Sequence, residues 1–328
     1  MRGPDPARLF AFAWRSVGRL PQPVAVAVFD AVADVAWLGR LAGARQLEAN
    51  LARLRPDLST RELRRLTRDG MRSYMRYYRE AFQLPTFTRE QLAARVRATG
   101  VPAVRTELES GRAVVLALAH AGNWDLAGAW ATTFLGPVLT VAEKLPGGLF
   151  AEFLAFRESL GIEIVPLENH STFRTLTRRA RARAALVPLL ADRDLSTRGI
   201  EVDLAGQRAR VAAGPAALAL TGDYALVPAV ITYERLTGER RRAARSAWGI
   251  VIEFRPAIER PAGLSRADAV APMTQAWVDV VFTRLRERPQ DWHMLQKVFL
   301  ADLDPERLAK AAARDAVVGP DAAAQGDS

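Results

Sequence analysis

A histidine and an aspartate stand close together where an apolar run of the chain ends. The stretch His-Ala-Gly-Asn-Trp-Asp places an imidazole at position 120 and a carboxylate at position 125. A neutral imidazole suits general-base catalysis, and a carboxylate that accepts a hydrogen bond from one ring nitrogen fixes the tautomer. His120 and Asp125 are therefore candidates for a base and the group that orients it. The alternative is a turn histidine followed by an aspartate that only caps a helix.

The sequence offers no covalent nucleophile in a matching context. It contains no cysteine, which also excludes a disulfide framework and cysteine-ligated zinc. We find no G-x-S-x-G elbow, dinucleotide fingerprint, phosphate-binding loop with its lysine, or H-E-x-x-H zinc motif in it. If His120 is a base, it therefore activates a hydroxyl group of a substrate without a covalent intermediate on the protein. We expect no metal and no other cofactor.

Alternating strands and helices from residue 112 onward predict how these groups are positioned. A strand is expected to end just before His120, and Glu143 and Asp192 also follow apolar segments. The alternation predicts an α/β fold with a mostly parallel central sheet and helices on both faces. Ligands of such folds bind at the carboxyl ends of the strands, so we expect the site there. Strands are predicted over residues 113–119, 137–143, 162–167, 185–191, 224–234 and 248–255, with a β-ribbon over 199–211.

Three regions are expected along the chain. Residues 1–60 are predicted to form amphipathic helices that associate with a membrane, residues 61–304 the α/β domain, and residues 305–328 a disordered tail. We expect the first two helices to meet at residues 21–23, where two prolines stand.

The segment Pro23–Gly43 is long and apolar enough to suggest a membrane span, but it carries Asp30 and Asp34 in its middle. A carboxylate at that depth costs about 2.5–3.5 kcal/mol. A helix that lies against protein or in the lipid interface is therefore favoured over a spanning one.

The chain is strongly basic, with 46 lysine and arginine residues against 36 aspartate and glutamate residues, a net charge of +10. Such a protein is attracted to phosphates in nucleic acid, anionic lipid or coenzyme A. We find no nucleic-acid-binding motif and expect no nucleic-acid partner. A non-enzymatic protein that binds nucleic acid or a membrane surface stays open as an alternative. The arginine-rich run at residues 174–183 is either a solvated face or a surface that rests on anionic lipid.

Five motifs, taken in order, resemble one group of acyltransferases. The resemblance is to the H-x₄-D acyltransferases and, within them, to the lipid A late acyltransferases and above all the actinobacterial phosphatidylinositol mannoside acyltransferases. It covers residues 74–303. The motifs are HAGNWDLAGAW, VAEKL, FRESLGIEIVPL, ADRDLSTRGIEVDLAGQRARVAAGPAALAL and DWHMLQ.

The resemblance implies a glycerol-3-phosphate-acyltransferase-like fold and a membrane-peripheral enzyme at the cytoplasmic face of the plasma membrane. It implies transfer of a fatty acyl chain, such as palmitoyl, from acyl-CoA to a mannose hydroxyl of an anionic phosphatidylinositol mannoside. An alternative acceptor is another glycolipid, of the lipid A type, or a lysophospholipid.

The resemblance also implies roles for individual residues. His120 would deprotonate the sugar hydroxyl, and Asp125 would hold the imidazole. In the mannoside acyltransferases a glutamate commonly stands where this chain has Asp192, so either Asp125 or Asp192 is the main partner of His120. The residues expected to bind the substrate are Asn123, Glu143, Lys144, Arg157 and Arg193.

Several of these residues have a structural alternative. Asn123 can cap a helix, Arg157 can form an ion pair with a nearby carboxylate, and Arg193 can join a local salt-bridge network. We expect Trp124 to serve in packing and His293 to be a buried, hydrogen-bonded structural residue.

Overall fold

The computed structural model describes residues 17, 20–143, 149–167, 171–194, 199–304, 306 and 309. Expectations for Lys144 and for most of the predicted C-terminal tail lie outside these residues. The strands are β1 Val96–Thr99, β2 Val114–Leu118, β3 Val138–Glu143, β4 Ile162–Leu167, β5 Leu186–Leu190, β6 Ile200–Leu204, β7 Gln207–Val211, β8 Ala225–Arg235 and β9 Trp248–Phe254. The α-helices are α1 Gln22–Leu38, α2 Ala42–Leu54, α3 Thr60–Gln83, α4 Arg89–Arg95, α5 Val101–Glu109, α6 Trp124–Phe134, α7 Leu149–Ser159, α8 Ser171–Ala182, α9 Gly214–Gly222, α10 Gly238–Ala244 and α11 Arg266–Leu285.

A seven-stranded sheet in the order β1-β9-β8-β2-β5-β3-β4 forms the centre of the molecule, and β6 and β7 form a separate ribbon. Only β8 and β9 pair antiparallel within the seven-stranded sheet. The other neighbouring strands are parallel. The prediction of an α/β fold with a mostly parallel sheet is therefore confirmed.

The alternation of side chains along β2 divides the core into two layers. Val115 and Ala117 belong to the cluster that includes residues of α8, α9 and α11. Leu116 and Leu118 belong to the cluster that includes residues of α5, α6 and α7. Because successive side chains of a strand point to opposite faces, helices cover both faces of the sheet, as predicted.

The sequence analysis missed four short elements, which are α4, β1, α5 and α10. The strand β1 has only four residues and forms an edge of the sheet, where it carries Arg97 as well as apolar residues. The helix α10 is seven residues long and rich in arginine, so it lacks the periodic apolar face by which helices are recognised.

The expected helix after the proline pair is broken in two. It begins as predicted, since Pro21 immediately precedes α1 and Pro23 lies in its first turn. It ends at Leu38, and α2 begins after a turn in which Arg40 takes a positive φ of 46°. Gly39, which has no side chain to pack, marks this break.

The N-terminal helices pack on the rest of the protein. Ala33, Leu47 and Met71, from α1, α2 and α3, share one buried cluster. The amide of Asn50 donates to the backbone oxygen of Met294 at 2.7 Å. Contacts therefore cross the boundary expected at residue 60, whose role as a domain limit stays a prediction. No helix in the described part of the chain combines the length and the apolar character that crossing a membrane requires.

Candidate active site

The register of two neighbouring strands brings His120 and Asp192 together. β2 and β5 are parallel, with Leu118 opposite Leu190, and His120 and Asp192 each follow two residues later. Nδ1 of His120 lies 2.5 Å from Oδ1 of Asp192. The backbone N–H of His120 donates to Oδ2 of the same carboxylate at 3.0 Å. The carboxylate thus fixes both the ring and the turn that carries it.

The surroundings of Asp192 keep its carboxylate ionised although it is fully buried. Burial alone would raise its pKa, but the imidazole of His120 and the N–H of Trp292 stabilise the anion and bring the pKa below its usual range. The Trp292 Nε1–H donates to Oδ2 at 2.8 Å. Because an ionised carboxylate only accepts hydrogen bonds, the proton of the neutral ring is on Nδ1 and Nε2 is left as the basic atom.

The closing segment of the domain holds the histidine turn from the other side. The His293 N–H donates to the backbone oxygen of His120 at 2.7 Å, and the Gly122 N–H donates to the backbone oxygen of Asp291 at 2.9 Å. Gly122 has a φ of +60°, and a Cβ there would lie 2.6 Å from the backbone oxygen of Ile231. A glycine is therefore required at this point of the turn.

His293 is buried and hydrogen bonded, as expected. Its Nε2 lies 3.0 Å from Oγ of Ser73, whose hydroxyl donates to Oδ1 of Asp291 at 2.8 Å. Burial, helped by the nearby positive charge of Arg76, lowers the pKa of His293 to about 3. The ring is therefore neutral at physiological pH.

Asp125 has no described contact with the imidazole of His120, so its expected role in orienting that ring stays a prediction. Asp125 is buried in the first turn of α6, where its carboxylate accepts from the hydroxyl of Tyr77 at 2.7 Å and from Nε of Arg157 at 2.7 Å. These two partners belong to α3 and α7. Among the described contacts the ring of His120 pairs with Asp192 instead.

Arg157 forms an ion pair, the structural alternative named in the sequence analysis. Its expected role in binding the polar part of the substrate stays a prediction. Its guanidinium is tied to Asp125. Burial alone would lower the pKa of Arg157, but Asp125 beside it raises the pKa above its ordinary value. The positive charge of Arg157 thus compensates a buried carboxylate beside the site.

Asn123 has a structural role, and the substrate contact expected of it stays a prediction. It is fully buried and caps α6, since its Oδ1 accepts from the Leu126 N–H at 2.9 Å. Its Nδ2 donates to Oε2 of Glu80 at 3.0 Å, and Glu80 also accepts from the hydroxyl of Tyr233 at 3.1 Å. The sequence analysis missed Glu80, whose only signal is an acidic residue in a stretch of α3 that also carries Tyr77, Tyr78 and Phe82.

The remaining expected substrate residues in the described part of the chain are Arg193 and Glu143. Arg193, which follows Asp192, hydrogen bonds to the side chain of Gln296, so a local polar contact is present there. Glu143 ends β3, at the same edge of the sheet as the histidine turn. The described part of the chain contains no group of three or more His, Asp or Glu residues that could hold a metal ion.

A largely apolar cavity lies on the face of the sheet covered by α6. Leu118 and Leu190 line it, and each precedes a site residue, His120 or Asp192, by two positions. Trp124 also lines it, and the centre of the indole lies 5.6 Å from that of the imidazole of His120. The cavity is therefore next to the base and suits an apolar chain. Its further lining includes Leu116, Ala127, Gly128, Ala131, Val138, Ile162, Leu186, Ala229, Ile231, Ile252 and Phe254, with Asp125 and Arg157 as charged members.

Comparison with known proteins gives matches over most of the chain. A sequence model of the family described as bacterial lipid A biosynthesis acyltransferase matches residues 7–301. A phosphatidylinositol mannoside acyltransferase of Mycolicibacterium smegmatis is 36% identical over 306 residues, which is 92% of this chain and 93% of that protein. One of Mycobacterium tuberculosis is 36% identical over 310 residues, or 93% of this chain and 92% of that protein.

Among solved structures, a 1-acyl-sn-glycerophosphate acyltransferase, PlsC, of Thermotoga maritima matches 81% of this chain and 95% of its own, with 12% identity and a TM-score of 0.35. That similarity is weak, and the description of the fold rests on the strand order and pairing given above.

Proposed function

The chain belongs to the bacterial lipid A biosynthesis acyltransferase family, and we propose that it transfers a fatty acyl group to a mannose hydroxyl of a phosphatidylinositol mannoside. Its relatives at 36% identity carry that name and align over more than nine-tenths of their length. They favour this acceptor over a lysophospholipid or a glycolipid of the lipid A type. The proposed acyl donor is acyl-CoA.

The observation that carries the proposed chemistry is the His120–Asp192 pair beside an apolar cavity. Leu118 and Leu190 line the cavity, and His120 and Asp192 follow them by two positions, just beyond the ends of β2 and β5. An acyl chain in the cavity would have its thioester near the imidazole. Positioning a reactant against the base in this way removes much of the entropic barrier to reaction.

In the proposed reaction, Nε2 of His120 removes the proton of the acceptor hydroxyl as its oxygen attacks the thioester carbonyl carbon. The new C–O bond gives a tetrahedral intermediate with a negatively charged oxygen. That intermediate collapses by breaking the C–S bond, and the leaving thiolate of coenzyme A takes the proton from the imidazolium. Asp192 stabilises the imidazolium while it carries the charge. No covalent acyl-enzyme is formed.

Both proposed substrates are amphiphiles with anionic phosphates. The net charge of +10 attracts such groups. We place the enzyme at the cytoplasmic face of the plasma membrane as a peripheral protein, because acyl-CoA is a cytoplasmic metabolite and the acceptor is a lipid.

The test is acyl transfer from palmitoyl-CoA to a mannosylated phosphatidylinositol by the wild type and by His120→Ala. Loss of a general base should lower kcat by about 10²–10⁴-fold. A circular-dichroism melting curve like that of the wild type would show that the variant is folded. Undiminished activity of His120→Ala would overturn the mechanism. Equal or faster transfer by the wild type to lysophosphatidic acid or a lipid A precursor would overturn the proposed acceptor.

A further inference from the structure

Trp292 reaches the partner of the candidate base from inside the core. Its Nε1 lies 2.8 Å from Oδ2 of Asp192, and the same oxygen accepts from the backbone N–H of His120. Oδ1 of the carboxylate is left to face Nδ1 of the imidazole at 2.5 Å. Trp292 and Asp192 are both fully buried, so their hydrogen bond is out of reach of solvent.

The indole of Trp292 is held in one orientation. Two aromatic rings pack edge-to-face against it, with ring centres 5.1 Å away for Phe282 and 6.5 Å away for Phe299. Side chains in a close-packed core keep to one rotamer. The N–H group is therefore directed at Oδ2 of Asp192 before any substrate binds, which is what a supporting hydrogen bond of a reactive group requires.

The backbone of Trp292 is fastened to the histidine turn as well. Trp292 and Ala121 form an isolated antiparallel bridge. The residue after Trp292 donates from its backbone N–H to the oxygen of His120 at 2.7 Å, and the residue before it accepts from the N–H of Gly122 at 2.9 Å. Trp292 is thus connected to both members of the pair, to the histidine through its turn and to Asp192 through the indole.

We propose that Trp292 is a positioning residue for the base: its indole N–H keeps the carboxylate of Asp192 turned toward Nδ1 of His120 and limits how strongly that carboxylate attracts a proton. The proposal rests on the proposed function, in which this pair acts as the base. An anion that accepts hydrogen bonds has less affinity for a further proton. Without the indole N–H, the carboxylate would attract the imidazolium more strongly, and the coupled pair would take up its proton at a higher pH.

The other charged groups near the pair do not depend on the indole. Burial, helped by the positive charge of Arg76, lowers the pKa of His293 to about 3, so that ring stays neutral above pH 5. Asp291 accepts its hydrogen bonds from α3 and β8. Arg193, next to Asp192 in the chain, keeps its charge at every pH of an assay. A change in titration caused by a substitution of Trp292 therefore reports the pair itself.

The test compares Trp292→Phe with Trp277→Phe. Trp277 is fully buried in the same hydrophobic cluster, but its Nε1 has no hydrogen-bond partner in the described part of the chain. The two substitutions remove the same atoms from the same cluster, and only the first removes a donor to Asp192. A second variant carries benzothienylalanine at position 292, in which sulfur replaces the N–H group, so the shape of the indole is kept if phenylalanine loosens the core.

The measurement is the titration of His120 by ¹⁵N NMR of histidine-labelled protein, in which Nδ1 and Nε2 give separate signals. The chain has three histidines, and His120→Gln identifies the signals of interest. The midpoint should rise by about 0.5–1 pH unit in Trp292→Phe, because part of the free energy of a hydrogen bond to a charged group differs between the two protonation states. Trp277→Phe should titrate like the wild type.

The same shift should appear in the reaction. The acidic limb of kcat/KM for palmitoyl-CoA should move to higher pH in Trp292→Phe, which lowers the rate on that limb by about 3–10-fold. A role of Trp292 in packing alone would leave the position of the limb unchanged. Trp277→Phe should keep the limb of the wild type.

Two results would overturn the proposal. One is a folded Trp292→Phe in which His120 titrates as in the wild type. The other is an equal shift in Trp277→Phe, which would assign the effect to packing of the core. The NMR titration needs no acceptor. If Trp292→Phe shows the shift but the wild type transfers no acyl group to a mannosylated phosphatidylinositol, the proposed function fails while the effect of Trp292 on the pair stands.

Discussion

Nδ1 of His120 lies 2.5 Å from Oδ1 of Asp192, although the two residues are 72 positions apart in the chain. The partner of the candidate base comes from the neighbouring strand and not from the helix that follows the histidine. The tautomer of the ring therefore depends on the pairing of β2 with β5, the two strands at the centre of the site. The aspartate of the H-x₄-D motif compensates the charge of Arg157.

Asp192→Asn should abolish most of the activity while it keeps the shape of the side chain. Oδ2 of Asp192 accepts from the backbone of His120 and from Trp292, so the amide oxygen of asparagine would stay there and its NH₂ group would face Nδ1. Nδ1 would then have to accept, and the proton would move to Nε2, the atom needed as base. We expect kcat, measured at saturating substrate concentrations, to fall by about 10⁴-fold, the loss seen when the same change gives the wrong tautomer in a Ser-His-Asp triad.

Asp223→Asn is the matched control for that prediction. Asp223 is an exposed residue at the end of α9 with a φ of 55°, a conformation that asparagine tolerates. The kcat of the Asp223→Asn variant should equal that of the wild type. If Asp125→Asn lowered kcat as strongly as Asp192→Asn without loss of stability, Asp125 would be the functional partner instead.

The location of the site could be predicted from the sequence, but the partner of His120 could not. His120 and Asp192 each follow an apolar strand, and the ends of parallel strands meet at one edge. Whether β5 lies next to β2 depends on the strand order, which a single sequence leaves open. The positions of Asn123 as the cap of α6 and of Asp125 in its first turn were predictable as well. Their contacts with Tyr77 and Glu80 depend on the packing of α3 across the site.

Parts of the fold were likewise predictable from the sequence, and other parts were not. The long apolar strands around Val115 and Val187 were predicted because burial on both faces gives a continuous apolar run. The edge strand β1 was missed because it is short and half polar. Sequence reasoning left α1 either on protein or in a lipid interface. The structure shows one side of the helix, with Phe29, packed on protein, and the other side, with Val35, exposed.

Removal of Arg157 should destabilise the protein through Asp125. Asp125 is 2% exposed and Arg157 16%, so Arg157→Met would leave a buried carboxylate with only the Tyr77 hydroxyl as partner. We expect a loss of about 3–5 kcal/mol in the free energy of unfolding. Adding Asp125→Asn should recover part of this loss, because the unpaired charge is then gone. Urea unfolding of the four proteins of the double-mutant cycle measures the coupling, and strictly additive losses would contradict the ion pair.

The apolar cavity should set the length of the acyl chain that the enzyme uses. Ala131 lines the cavity, and Ala131→Phe would fill part of it. Each methylene group of the acyl chain that is buried in the cavity contributes about 0.8 kcal/mol. If the new phenylalanine excludes a few of them, kcat/KM for palmitoyl-CoA should fall by at least about tenfold. Octanoyl-CoA should be affected much less. Ala103→Phe, on the exposed side of α5, is the control. An unchanged ratio between the two donors in Ala131→Phe would place the acyl chain elsewhere.

The buried His293 should make the protein less stable as the pH falls below neutrality. Its pKa in the folded protein is lowered to about 3, mainly by burial, whereas an unfolded histidine has a pKa of about 6.5. Between these values the unfolded chain binds a proton that the folded protein excludes, so protonation favours unfolding. The stabilisation from the neutral ring is complete above pH 6.5 and decreases as the pH falls toward 3. Between pH 7 and pH 5 we expect a loss of about 2 kcal/mol from this one group.

Urea unfolding of the wild type and of His293→Gln at pH 7, 6 and 5 measures this contribution. Glutamine can still donate a hydrogen bond to Ser73 but does not titrate, so the difference between the two pH dependences isolates His293. The wild type should lose about 2 kcal/mol more than the variant between pH 7 and pH 5, because the carboxylates that also titrate are common to both proteins. Parallel pH dependences would contradict this prediction, because they would mean that the imidazole of His293 is protonated as easily in the folded protein as in the unfolded chain.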